Sequence, residues 1–187
     1  MHRVAILAST RGTVLQAILD EKAAGTLPEI EITRVVSNVK DCGALEKARA
    51  ADIEAVFVDP KDKSTEEYDE ALLDAVGEVD LIALIGFLKI LGPKFIGKYE
   101  GRILNVHPAL LPNYGGKGFY GAKVHEAVLA AGEKESGMTI HFVEEGVDTG
   151  PIFLQKKVSI EAGETPESLQ AKVQELEKKG YPEALRL

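Results

Sequence analysis

Asn105, His107 and Asp148 are the side chains of this 187-residue sequence whose types and spacing best fit acid–base chemistry. Asn105 and His107 stand two residues apart at the end of an apolar run, which places both on one face of a strand. An amide donor beside an imidazole can hold a carbonyl oxygen and move a proton. The alternatives are that the pair only caps a strand end and that Asp148, bracketed by glycines, is only a turn residue. Close to an imidazole, Asp148 would raise the histidine pKa.

The turn at residues 8–14 reads Ala-Ser-Thr-Arg-Gly-Thr-Val and joins a short apolar run to a helical pattern. Free amides and the dipole at a helix N-terminus suit a phosphate, and Arg11 adds a positive charge. The turn matches neither the dinucleotide fingerprint nor a Walker A loop. The alternative is an ordinary turn in which Thr13 is the N-cap residue.

Four other candidate residues carry weaker signals. His141 lies in the middle of a predicted strand, where a structural role is expected, and His125 has no partner visible in the sequence. Glu177 lies on the last predicted helix, where an isolated glutamate is usually solvated. Cys42 is the only cysteine, so no intrachain disulfide can form. No set of residues has metal-ligand spacing, and we expect no metal.

The composition argues against nucleic-acid and membrane partners. The chain has 22 basic and 30 acidic residues, a net charge of −8, which lowers the expectation of a nucleic-acid partner. The longest apolar stretch, residues 79–91, includes Asp80 and Lys89 and is too short to span a bilayer, so we expect no membrane partner. The N-terminus lacks a signal-peptide layout and cysteine is scarce, which together predict a cytoplasmic protein.

Strand and helix patterns alternate along the chain, which predicts a parallel sheet with right-handed crossovers. We predict an α/β fold: one domain, residues 1–187, with a doubly wound, mostly parallel, Rossmann-like sheet and an antiparallel C-terminal strand region. Its ligands should bind at the loops after the strands, residues 9–14, 86–91 and 105–117. Strands are predicted at 3–8, 30–36, 55–58, 79–85, 102–106, 138–143 and 152–160, and helices at 13–24, 44–51, from Ser64 onward, 93–99, 121–131 and 165–179.

Four segments of the sequence resemble the 10-formyltetrahydrofolate-dependent formyltransferases. They are Ala-Leu-Ile-Gly-Phe-Leu-Lys-Ile-Leu at 83–91, Asn-Val-His-Pro-Ala-Leu-Leu-Pro at 105–112, Gly-Met-Thr-Ile-His-Phe-Val at 137–143 and Val-Asp-Thr-Gly-Pro-Ile at 147–152. The resemblance covers essentially the whole chain. Members with one domain of this length transfer a formyl group from 10-formyltetrahydrofolate, a co-substrate, to the amine of glycinamide ribonucleotide in de novo purine biosynthesis, without a metal.

The resemblance also implies the site residues. It implies that Asn105, His107 and Asp148 are the catalytic residues. The family phosphate loop commonly carries an asparagine where this chain has Val14, and Arg11 is expected to compensate. The binding residues implied are Arg11, Gly12, Thr13 and Val14 for the substrate phosphate, Gln174 and Glu177 for the substrate amine, and Leu84, Phe87, Leu88, Lys89, Ile90, Leu91, Asn105, Val143 and Glu144 for the folate.

In the implied mechanism, the amine attacks the formyl carbon while Asn105 hydrogen-bonds the formyl oxygen. Protonated His107 stabilises the oxyanion and acts as general acid, and Asp148 keeps it charged near neutral pH. Two alternatives stay open: a formyltransferase for another amine, such as an amino sugar nucleotide, and a non-catalytic folate- or phosphate-binding protein of the same fold. The expected partners are small-molecule substrates, with the protein a monomer or a homodimer.

Overall fold

Seven strands and six helices alternate along the chain, and the computed structural model describes all 187 residues. The strands are β1 (His2–Leu7), β2 (Ile30–Ser37), β3 (Glu54–Phe57), β4 (Leu81–Leu84), β5 (Ile103–His107), β6 (Glu135–Phe142) and β7 (Ile152–Ser159). The helices are α1 (Thr13–Ala23), α2 (Gly43–Ala50), α3 (Thr65–Val76), α4 (Pro93–Lys98), α5 (Ala122–Ala130) and α6 (Pro166–Ala184). The chain divides into two compact units, residues 1–105 and 106–187.

The first unit is built on parallel strands. β1 pairs with β2 and β4, β2 pairs with β3, and β4 pairs with the start of β5, all in parallel. Residues 4–8, in and just after β1, are fully buried, as expected for a central strand covered on both faces. β4 has only four residues, Leu81–Leu84, which pair with residues 4–7 of β1, and it is shorter than the predicted strand at 79–85.

Two helix N-termini in the first unit show how local sequence sets the ends of elements. Ser64 caps α3: its hydroxyl accepts from the amide of Glu67, whose carboxylate accepts from the amide of Ser64, which confirms the predicted capping box. The alternative in which Thr13 is the α1 N-cap is wrong in this detail, because Gly12 holds that position with φ 71°. A Cβ on Gly12 would lie 2.9 Å from Cα of Ala44, so the turn requires a glycine.

The second unit contains the antiparallel strand pair β6 and β7 with α5 and α6. β6 starts at Glu135, three residues earlier than predicted, because Glu135 pairs with Ser159. α6 continues to Ala184, although it was predicted to end near residue 179. Tyr181 and Pro182 are buried in its last turns, and this packing outweighs the backbone hydrogen bond that Pro182 cannot donate.

The hydrogen-bonded strand order is β3-β2-β1-β4-β5-β6-β7. The predicted α/β class, with a mostly parallel sheet and an antiparallel C-terminal region, is confirmed. The assignment of residues 1–187 to one domain stays a prediction. None of the helices has both the length and the apolar character needed to cross a bilayer.

Candidate active site

His107, the last residue of β5, is buried, with 4% of its surface exposed. Its Nδ1 lies 3.4 Å from Oδ2 of Asp148, and its Nε2 lies 2.7 Å from the carbonyl oxygen of Tyr114. Asp148 has φ 58°, and its Oδ2 also accepts from the amide of Gly116 at 3.0 Å. The structure therefore brings His107 and Asp148 together. A substrate group reaches Nε2 of His107 only by replacing the Tyr114 carbonyl.

His141 was expected to be structural, yet it contacts the same carboxylate. Its Nε2 lies 3.4 Å from Oδ1 of Asp148, and its Nδ1 lies 2.9 Å from the carbonyl oxygen of Phe142. Each carboxylate oxygen of Asp148 thus lies near one imidazole, Oδ2 near His107 and Oδ1 near His141. A signal for this contact was present in the sequence, since His141 lies next to the end of the strand that leads into the Asp148 segment.

Burial and neighbouring charges oppose each other in the His107–Asp148 pair. Burial alone would raise the pKa of Asp148, but the hydrogen bond from His141, the nearby His107 and the amide of Gly116 hold it below its usual value. Burial, together with the smaller effect of the nearby His141, lowers the pKa of His107 by more than Asp148 and the Tyr114 carbonyl raise it. The expectation that Asp148 keeps His107 protonated near neutral pH is therefore wrong: desolvation dominates, and the imidazole is neutral beside an ionised carboxylate.

His125 on α5 adds a third buried imidazole to this unit. Burial lowers its pKa, and His107 is near enough to lower the pKa further. Its Nδ1 is buried without a hydrogen-bond partner. No group of three or more histidine, cysteine, aspartate or glutamate side chains is arranged to hold a metal ion.

A buried threonine positions the segment that follows His107. The hydroxyl of Thr139 on β6 donates to the carbonyl of Ala109 at 2.6 Å and accepts from the amide of Leu111 at 3.0 Å. Gln155 on β7 donates to the same hydroxyl at 2.9 Å and to the carbonyl of Leu111 at 2.9 Å. The chain beyond β5 is thereby fixed by side chains of both antiparallel strands.

Asn105 lies two residues before His107 on β5, so the two side chains share a face of the strand. It is half-buried. Val143 and Glu144, predicted to contact the folate, directly follow β6, the first half-buried and the second exposed.

The predicted phosphate residues form the start of α1 in the first unit. The amide of Ala44, at the start of α2, donates to the carbonyl of Thr10 at 3.1 Å, which holds the turn against that helix. Arg11 is exposed, Thr13 is half-buried and the Val14 side chain is buried. The Val14 side chain packs in the core, so this residue can offer an anion only its main-chain amide.

The predicted folate residues run from the end of β4 through the loop that follows it. Leu84 and Leu91 are buried at the two ends, whereas Leu88 and Ile90 are 63% and 68% exposed. Phe87 and Lys89 are half-buried. Large exposed apolar side chains side by side on a loop are typical of a ligand-binding surface.

Gln174 and Glu177 lie three residues apart on α6 and share a face of the helix. Both are half-buried. Burial raises the pKa of Glu177 to about 7. A carboxylate whose pKa is strongly raised by desolvation is a candidate functional group, which favours a binding role over a solvated helix face.

Comparison with known proteins gives full-length matches. A family model described as formyl transferase matches residues 2–185. A phosphoribosylglycinamide formyltransferase of Haemophilus influenzae is 41% identical over 185 residues, 97% of this chain and 84% of that protein. The trifunctional purine biosynthetic protein adenosine-3 of Gallus gallus is 42% identical over 188 residues, 99% of this chain, which spans only 18% of its length. The crystal structure of glycinamide ribonucleotide transformylase 1 from Symbiobacterium toebii aligns with a TM-score of 0.91 at 39% identity, covering 100% of this chain and 87% of that one.

Proposed function

The chain belongs to the formyl transferase family, and from this membership we propose that it transfers the formyl group of 10-formyltetrahydrofolate to the amine of glycinamide ribonucleotide in de novo purine biosynthesis. The observation that carries the proposal is the contact of buried His107 with half-buried Asp148, with Asn105 two residues earlier on β5. These three side chains supply an oxygen-binding donor, a proton carrier and a counter-charge.

The reaction needs one proton to move from the attacking amine to the leaving nitrogen. As the amine nitrogen bonds to the formyl carbon, the formyl oxygen takes the electron pair of the C=O bond, and the Asn105 amide donates a hydrogen bond to it. The C–N bond to the folate then breaks, and the carbonyl re-forms. The folate nitrogen leaves with the proton that the amine gave up.

Neutral His107 is the proton carrier in this scheme. Because burial lowers its pKa, the imidazole is neutral, and once the substrate has replaced the Tyr114 carbonyl, Nε2 can accept the proton that the amine loses on attack. The imidazolium that forms lies against the ionised Asp148, whose charge offsets its desolvation. It then donates the proton to the leaving nitrogen. His107 thus acts first as base and then as acid, and not as an imidazolium from the start.

The ribonucleotide phosphate is assigned to the α1 N-terminus, where the amides of Gly12, Thr13 and Val14 and the exposed Arg11 guanidinium offer donors and positive charge. The substrate amine side is assigned to Gln174 and Glu177. With a pKa raised to about 7, Glu177 ionises readily once a cationic or hydrogen-bonding substrate group meets it.

The folate is assigned to the apolar loop after β4 together with Asn105, Val143 and Glu144. Leu88 and Ile90 offer apolar area at the surface, and burying such area against a pterin or aromatic ring is favourable. Folate is a co-substrate here, released as tetrahydrofolate, and no step of the scheme requires a metal. The cytoplasmic location and the monomeric or homodimeric state stay predictions.

The test is an acceptor panel with the purified protein. With 10-formyltetrahydrofolate as donor, we expect formylation of glycinamide ribonucleotide and far slower transfer to amino sugar nucleotides or water. Efficient transfer to an amino sugar nucleotide would assign the other acceptor class. Folate binding without turnover on any acceptor would identify a non-catalytic binding protein.

A further inference from the structure

Ser9 joins the turn before α1 to the loop after β4, and it is 5% exposed. The amide of Leu88 donates to its hydroxyl oxygen at 3.1 Å. The amide of Ser9 itself donates to the carbonyl of Gly86 at 3.1 Å. The side chain and the main chain of Ser9 thus each form one hydrogen bond to the main chain of the 86–91 loop.

The Ser9 hydroxyl is oriented by a second side chain. A serine hydroxyl has one proton to donate and lone pairs to accept with. The proton goes to Oδ1 of Asn38, which follows β2, so the oxygen lone pairs remain for the Leu88 amide. Hydrogen bonds in such a chain polarise one another, which strengthens each link.

The loop that Ser9 holds combines a fixed main chain with exposed apolar side chains. Leu88 is 63% exposed, although its amide is bound to Ser9. Gly86 has φ 65°, and a Cβ there would lie 3.0 Å from Oγ1 of Thr10, so the loop begins in close contact with the turn. This arrangement fixes where the loop presents its apolar surface, before any ligand binds.

We propose that Ser9 is a positioning residue for folate binding, which holds the 86–91 loop at a fixed place relative to the phosphate-binding turn. The proposal rests on the proposed function for the identity of the loop's ligand. Ser9 touches neither substrate in this account: it acts through the main chain of Leu88 and Gly86. Fixing the 86–91 loop relative to the phosphate-binding turn pre-organises the two substrates for reaction.

The test compares Ser9→Ala with Ser37→Ala. Ser37 is a matched control because its buried hydroxyl also accepts a main-chain amide, that of Val39 at 3.0 Å, while its other hydrogen-bond partner is the Cys42 thiol and not the 86–91 loop. We expect Ser9→Ala to raise the Kd of tetrahydrofolate roughly five- to 150-fold, the range that corresponds to leaving one amide without its hydrogen-bond acceptor. The KM for glycinamide ribonucleotide should change by less than about threefold, and Ser37→Ala should leave both constants near wild type.

Hydrogen exchange provides a readout that does not depend on the ligand. The Leu88 amide should exchange faster in Ser9→Ala and remain protected in Ser37→Ala. If wild-type protein fails to bind tetrahydrofolate, the proposed function fails, while this exchange comparison still decides whether Ser9 restrains the loop. Unchanged protection of Leu88 in Ser9→Ala, or equal loss of folate affinity in both variants, would overturn the positioning role.

Asn38→Ala provides a second variant in case Ser9→Ala folds poorly. It removes the acceptor of the hydroxyl proton and leaves the Ser9–Leu88 hydrogen bond possible. We expect a smaller rise in the Kd of tetrahydrofolate, about two- to fivefold, because only the orientation of the hydroxyl is lost. No change in either the Kd or Leu88 exchange would contradict the proposed chain of hydrogen bonds.

Discussion

Nδ1 of His107 lies 3.4 Å from Oδ2 of Asp148, in a setting where burial outweighs the effect of the carboxylate on the imidazole. The pKa of Asp148 is held low and that of His107 is also lowered, so at neutral pH the pair consists of a carboxylate and an uncharged imidazole. It becomes an ion pair only when His107 takes up a proton. That is the state a proton carrier needs to stabilise in the middle of a reaction.

Replacing the carboxylate should move the titration of the imidazole. We expect Asp148→Asn to lower the pKa of His107 further, because the one negative charge that opposes desolvation is removed. The acidic limb of the pH–rate profile should shift to lower pH, and kcat should fall roughly 10²- to 10⁴-fold, since the imidazolium loses its partner. NMR titration of the His107 ring measures the pKa directly.

Glu145→Gln is the control for loss of a nearby charge, because Glu145 is exposed. It should leave the His107 titration and kcat near wild type. A His107 pKa that is the same in Asp148→Asn and wild type would show that the two side chains do not interact.

We expect Glu177→Gln to stabilise the fold at high pH and to weaken binding of the ribonucleotide. Burial raises the pKa of Glu177 to about 7, so ionisation destabilises the fold increasingly from about pH 4.5, where the carboxyl ionises in the unfolded chain, up to about pH 7. The variant should therefore gain about 1–3 kcal/mol in free energy of unfolding at pH 8 and almost nothing at pH 4.5. Its KM for the ribonucleotide should rise, because a charged acceptor is lost.

Glu175→Gln serves as the matched control on the same helix. Glu175 is exposed, and its hydrogen bond from Lys178 lowers its pKa, so the variant should not gain stability at pH 8. Urea unfolding at the two pH values decides the question. A Glu177→Gln gain that is equal at both values would mean that desolvated charge is not its cause.

Thr139 should affect both stability and turnover, because its hydroxyl makes three hydrogen bonds that position the segment after His107. Thr139→Val keeps the shape and removes the hydroxyl, so we expect a loss of about 1–3 kcal/mol in stability, with the amide of Leu111 and the carbonyl of Ala109 left unpaired. The kcat should fall as well. Thr139→Ser keeps the hydroxyl and should recover most of both. Equal kcat in the Val and Ser variants would separate this hydrogen-bond set from catalysis.

Arg11 tests the unusual phosphate turn, since Val14 is buried and contributes only its amide there. A charge-assisted hydrogen bond contributes about 1.5–3 kcal/mol, so Arg11→Ala should raise the KM for the ribonucleotide roughly tenfold or more and leave the KM for the folate almost unchanged. Arg49→Ala removes an exposed charge on α2 and should change neither. Equal effects of Arg11→Ala on both substrates, or none, would show that Arg11 is not a phosphate ligand.

Most of the fold could be predicted from the periodicity of apolar residues and from helix-capping residues. The β-branched runs placed β2 within one residue, and Ser64 placed the start of α3, because both signals are local. Local signals failed where packing decides: α6 continues past Pro182 because its last turns are buried. Gly12 is the α1 N-cap because Ala44, distant in sequence, leaves no room for a side chain.

The sequence predicted which residues form the site better than it predicted their pKa values. Family motifs identified His107 and Asp148, and the structure places them in contact. The lowered pKa of His107 depends on how deeply the ring is buried, and a sequence does not give that depth. A second limit hid Ser9, whose partners Asn38 and Leu88 lie on segments that only the folded chain brings near.

Formyl transfer by the His107→Ala variant tests the central claim most directly. With carbon-13 in the formyl group of 10-formyltetrahydrofolate, single-turnover NMR follows its arrival on the amine of glycinamide ribonucleotide. We expect the rate to fall roughly 10²- to 10⁴-fold or more, with the Kd of tetrahydrofolate near wild type, because His107 acts on the transition state. A correctly folded His107→Ala protein that transfers the label at the wild-type rate would contradict the account.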